Sequence, residues 1–153
     1  MPWLLCLLLS TCEVYAASIP EQRILIDATP KVQTAQPGGM VTQRWIVAPD
    51  GEPVTVDLIL VITLPAELPL VEYSIEAGTV TDFTCVKLGK RQLLCLANGI
   101  ETTNYLTTVS TVASDWGDVS QASMLVIAGD NVAGMSASVA TAGGKWFLPW
   151  VAK

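Results

Sequence analysis

Between Val54 and Leu64 every even-numbered residue is apolar: Val54, Val56, Leu58, Leu60, Ile62 and Leu64. The odd-numbered set starts polar at Thr55 and Asp57 and turns apolar at Ile59 and Val61. A period of two puts alternate side chains on opposite faces of an extended chain. The pattern predicts a strand with one fully buried face and a second face covered only near its middle. Its length favours a bend or a bulge.

The rest of the chain follows the same period. Arg23 to Ala28 is a short β-prone segment that Val32 to Gln36 continues, and Pro37-Gly38-Gly39 forms a turn. Met40 to Val47 alternates, and Pro49-Asp50-Gly51-Glu52-Pro53 breaks it. Val71, Tyr73 and Ile75 alternate after the Pro65 to Pro69 loop, and Val80 to Val86 follows Gly78. Asn98-Gly99 reads as a turn, Tyr105 to Ala113 as a Thr/Val-rich strand, Asp115-Trp116-Gly117-Asp118 as a reversal, and Gln121 to Ile127 as the closing strand. No window sustains a helical apolar stripe, and the connections are too short for crossover helices. The expected fold is all-β, an immunoglobulin-like two-sheet sandwich of about seven or eight strands.

Trp3 to Leu9 is a nearly unbroken apolar run, too short for a spanning helix and suited to the core of a signal peptide. Val14-Tyr15-Ala16 places small residues before a cut after Ala16, with Ala17 as a neighbouring option. No Lys or Arg precedes the run, so two other readings stay open. One is a lipoprotein acylated at Cys12, and the other is an intracellular chain or a start placed too far downstream. The chain thus divides into a signal peptide (1–16), a sandwich (17–127), a flexible Ala/Gly/Ser spacer (128–145) and an apolar tail (146–153). The tail, Trp146-Phe147-Leu148-Pro149-Trp150-Val151, is too short to span a membrane.

Loss of the leader removes Cys6 and Cys12 and leaves Cys85 and Cys95, an even pair that export would oxidise. Phe83 and Cys85 share one face of an alternating segment, and Leu93, Cys95 and Ala97 share one face of the next. Lys87-Leu88-Gly89-Lys90-Arg91 between them suits a reversing turn, which sets the two cysteines side by side across a hairpin within disulfide reach. The alternative is a pair of reduced cysteines packed as small hydrophobes.

The order of features resembles an Ig-like repeat domain of unknown function found in secreted and cell-surface proteins of bacteria and archaea. Pro37-Gly38 precedes the second strand, Leu64-Pro65-Ala66 ends another, and Cys85, Gly89 and Cys95-Leu96 match its cysteine hairpin, over roughly residues 24 to 127. The chain departs from that pattern at Ala48-Pro49-Asp50-Gly51, at Ile62 and at Asn98-Gly99. The tail is similar to short aromatic-Leu-Pro tails that close many exported proteins of filamentous green bacteria. The resemblance implies a structural or adhesive envelope module without catalytic residues. Related sandwiches form isopeptide bonds, but Lys31, Lys87 and Lys90 lie near turns, away from the buried acid such chemistry needs.

Chemistry is otherwise sparse. There is no histidine, which removes imidazole catalysis and His-ligated metal centres. A net charge of -6 without a basic run argues against nucleic acid. Asp115, Asp118 and Asp130 sit in turns, which attract Asp without any metal. Lys87, Lys90 and Arg91 form a basic hairpin tip that reads as solvated. Trp45, Tyr73 and Phe83 read as core, Tyr105 as a strand-end hydrogen-bonder, and Trp116 as a ligand contact or a core plug. Ser120 and Ser123 have no base, and Glu67, Glu72 and Glu76 form no paired cleft. The expectation is a non-enzymatic, cofactor-free module, secreted or at the cell surface, that binds an envelope protein or glycan and in its mature form spans no membrane. The alternative is a small carbohydrate-binding module using exposed aromatics such as Trp116.

Overall fold

A computed structural model describes residues 23–76, 83–113 and 118–141. They form ten strands: β1 (Ile24–Thr29), β2 (Val32–Ala35), β3 (Met40–Pro49), β4 (Val54–Thr63), β5 (Leu70–Glu76), β6 (Thr84–Leu88), β7 (Gln92–Ile100), β8 (Asn104–Thr111), β9 (Val119–Ala128) and β10 (Asn131–Thr141). A four-stranded sheet in the order β1-β3-β8-β5 faces a six-stranded sheet in the order β2-β10-β9-β4-β7-β6. This is the expected immunoglobulin-like sandwich, with more strands than the sequence suggested. No helix among the described residues is long and apolar enough to cross a membrane.

The period-two pattern accounts for the core. Leu58, Leu60 and Ile62 of β4 point inward, beside Ala97, Cys95 and Leu93 of β7 and Ala128, Val126 and Met124 of β9. Trp45 lies opposite Ala28 on one side and Leu106 on the other, and fills the facing wall. Its Nε1 donates to Thr108 Oγ1 at 3.1 Å, so the buried indole loses no hydrogen bond.

Two turn signals are used differently. Asn98-Gly99 lies inside β7, opposite a register shift between Val54 and Asp57 of β4. Gly99 has φ +90°, and a Cβ there would collide with the Val54 carbonyl oxygen. The glycine thus serves a bulge instead of a reversal. The extra residue turns Val56 outward, so the run of inward even-numbered residues breaks at that one position.

The segment read as a spacer is corrected by β10, which forms a strand from Asn131 to Thr141. It pairs with β9 from Asn131↔Ala128 to Ala140↔Val119 and buries Ala137 and Val139. The sandwich therefore runs past residue 127.

β1 and β2 are one run of chain divided between the sheets. β1 pairs antiparallel with β3, the chain crosses at the cis Thr29-Pro30 peptide, and β2 pairs parallel with β10. Gln43, buried within β3, secures the crossing. Its Nε2 donates to Pro30 O at 2.8 Å and its Oε1 accepts from Gln33 Nε2 at 2.9 Å.

Candidate functional site

The proposed cysteine pairing is present. Cys85 and Cys95 are direct cross-strand partners of β6 and β7, joined by a disulfide with Cα atoms 4.0 Å apart. Cys95 is buried against the core and Cys85 is half-buried. A close pair of this kind exchanges no backbone hydrogen bonds, so the Cys85 carbonyl turns toward the free edge of β6. Tyr73 Oη donates to it at 3.1 Å, and Lys87 Nζ donates to Val71 O at 3.0 Å. These two contacts tie the edge strands β5 and β6 to each other. At the opposite margin Asp27 Oδ1 accepts the Ala28 N–H at 2.9 Å and meets Lys31 Nζ at 3.2 Å. The margins are thus partly capped by side chains, which discourages backbone pairing with another chain.

The other candidate residues are scattered. Arg91 Nε donates to Leu64 O at 3.2 Å, and Lys90 is exposed at the hairpin tip. Glu67 accepts from Ser120 Oγ at 3.2 Å, and Glu76 pairs with Arg44 at 2.7 Å, so these acids are not brought together. Tyr105 lies on the outside of the smaller sheet with the Arg44 guanidinium carbon 4.0 Å from its ring centroid. Asp118 accepts the Val119 N–H. No group of three or more His, Cys, Asp or Glu able to hold a metal occurs among the described residues. Asp115, Trp116, the leader with Cys12, and residues 146–153 lie outside the described residues. Among the described aromatics, Trp45 is buried and Tyr73, Phe83 and Tyr105 are half-buried, so they form no exposed strip.

What distinguishes the surface is the contrast between the two outer faces. The smaller sheet mixes Thr42, Arg44, Ser74, Glu76 and Thr107 with the apolar side chains of Leu25, Met40, Ile46, Val71 and Val109. The larger sheet shows aliphatic side chains in two adjacent rows. Register places Leu96 of β7, Ile59 of β4, Ile127 of β9 and Val132 of β10 in one row. The next holds Val86 of β6, Leu94, Val61 and Leu125, and ends at Gly134. Ile59 is 40% exposed, Leu96 49%, Leu125 41% and Val132 64%. Asp57 and Asn98 border the rows at one end, and Thr63, Gln92, Ser123 and Ser136 at the other. A contiguous apolar patch with a polar rim is unusual on an isolated soluble domain. The apolar odd positions Ile59 and Val61 pointed toward it. The expectation that the middle of β4 is covered on both sides is corrected: among the described residues nothing lies over that outer face.

No protein-family model matches the chain, and no curated protein does. Solved structures do resemble it. The N-terminal domain of the Streptococcus gordonii adhesin Sgo0707 superposes with TM-score 0.60 at 17% identity over 78% of this chain and 33% of that one. The seventh ScaB type I cohesin from Pseudobacteroides cellulosolvens superposes with TM-score 0.51 at 16% identity, over 76% of this chain and 92% of the cohesin. At such identities the likeness is one of fold. The repeat-domain resemblance therefore holds at the level of the sandwich and not of a single family.

Proposed function

We propose that this chain is a non-enzymatic, exported β-sandwich module of the cell envelope, a divergent relative of the Ig-like repeats. Its working surface is the aliphatic outer face of the larger sheet, which docks a protein partner. The observation that carries the reading is the pair of rows through Ile59 and Val61, aliphatic from strand to strand, while the opposite face mixes polar side chains with Leu25, Met40 and Val71. An apolar core inside a polar rim is the anatomy of a protein interface. The leader-like N-terminus and the disulfide support export, because such bonds persist in oxidising compartments. The adhesin and the cohesin lend their kind of role as an analogy of fold alone. A glycan reading has no strip of described aromatics behind it.

The test is carried out in the native host. Intact-mass analysis of cell fractions is expected to find the chain outside the cytoplasm, cleaved after Ala16, with the two-hydrogen loss of one disulfide. A photo-crosslinking residue at Leu96 is expected to capture protein, and the same residue at Thr107 on the smaller sheet is not. A cytoplasmic, reduced product, or equal capture from both faces, overturns the proposal.

A further inference from the structure

We infer that the partner for this face is a second copy of the same chain, related by a two-fold axis lying in the plane of the sheet, across its strands. The inference rests on the docking reading above and names its occupant.

An isologous interface requires a surface that is its own complement. The two aliphatic rows meet that condition. They are two residues apart along each strand, so an axis midway between them lays each row on the other row of the second copy. On β4 Ile59 then covers Val61, on β7 Leu96 covers Leu94, and on β9 Ile127 covers Leu125, each reciprocally. These central strands stay matched through the crossing of roughly 30° that packed sheets adopt.

Charge selects this axis over its alternative. Asp57 borders one end of the face, and Lys90 and Arg91 stand beyond Thr63 and Gln92 at the other. Neither Asp57 nor Lys90 has an ion-pair partner among the described residues. A two-fold across the strands brings the acidic end of one copy to the basic end of the other. A two-fold along the strands would set Asp57 against Asp57. The chain's net charge of -6 opposes association in general, so the local pairing matters.

Size sets the strength. Five strands at about 4.8 Å spacing and six residues at about 3.3 Å rise give a planar footprint of about 500 Å² per copy. Two copies then bury about 1,000 Å², the lower limit of a specific interface and the range of transient ones. The association closes at two copies, because both faces are used up and the sheet margins are partly capped.

Sedimentation equilibrium of the chain as its host produces it, from about 1 to 200 μM, is the test. A reversible monomer–dimer equilibrium is expected. Ile59→Lys and, separately, Leu125→Lys are expected to weaken it at least 100-fold, with Thr107→Lys as the neutral control. Asp57→Lys and Lys90→Asp should each weaken it several-fold, and the double swap should restore it. Disulfide mass and far-UV circular dichroism establish that each variant is folded. A monomer at every concentration, a dimer indifferent to both lysine substitutions, or a double swap without rescue overturns the inference. A monomeric chain that still crosslinks a different protein from position 96 overturns the two-fold and leaves the docking reading standing. Loss of both results removes both.

Discussion

The disulfide offers the most direct measurement of what holds the hairpin to the sandwich. Cys85 and Cys95 are ten residues apart in sequence, so reduction frees a short loop in the unfolded chain. The chain-entropy relation assigns about 3 kcal/mol to a closed loop of that size. Replacing both residues by Ala also removes buried sulfur at Cys95, which is wholly inaccessible, for about 1 kcal/mol more. Reduced wild type should therefore lose about 3 kcal/mol, and Cys85→Ala/Cys95→Ala about 4 kcal/mol. For a domain of about 120 residues, unfolding entropy is about 0.25 kcal/mol per kelvin, so the midpoints should fall by roughly 12 and 16 °C. Urea titrations by far-UV circular dichroism, with and without reductant, make the comparison. A reduced protein within about 1 kcal/mol of the oxidised one would refute the reasoning, and would mean that β6 and β7 already associate in the unfolded ensemble.

Three other outcomes follow from the packing. Gly99→Ala, at φ +90° with its new Cβ against the Val54 carbonyl, is expected to destabilise by about 2–4 kcal/mol in urea unfolding, and a change under 0.5 kcal/mol would argue against the bulge. Trp45→Phe should cost about 1–3 kcal/mol through the lost indole bond to Thr108, while Trp45→Ala should cost about 3–5 kcal/mol. The Ala28 N–H and then Lys31 hold the Asp27 carboxyl below its ordinary value. Its contribution is therefore present above the unfolded carboxylate range near pH 4 and is lost as pH falls through the lowered folded value. The stability gap between wild type and Asp27→Asn should shrink as pH falls through the carboxylate range, and a gap that widens on acidification would contradict the assignment.

Strands are legible in this sequence where large apolar residues alternate with polar ones. Met40 to Val47 reads correctly for that reason. β10 escapes because its inward side chains are chiefly Met135, Ala137 and Val139 among Ala, Ser and Gly. Its place is set by backbone pairing with β9, which leaves no hydrophobic period to read. The Asn98-Gly99 signal reports correctly that the backbone needs a positive φ, but a bulge and a turn share that demand. The aliphatic outer face of the larger sheet was visible only in fragments. Apolar residues on both sides of β4, β7 and β9 look like double burial until the sheet order shows that nothing described lies over the second side. The cysteine pair was readable because its geometry is local. The charges at the two ends of the face lie on different strands and become related only through register.

The division of one chain run between two sheets has a mechanical consequence. β2 runs parallel to β10, with Val32 beside Ser138 and Ala35 beside Thr141. Tension drawn between the N-terminal side of β1 and the C-terminal side of β10 pulls these neighbours in opposite senses along their length. The ladder bonds between them are then loaded together in shear, instead of opening one after another as in an unzipped hairpin. A module anchored at one end and pulled at the other would load the β1–β3 ladder and then this short parallel pair.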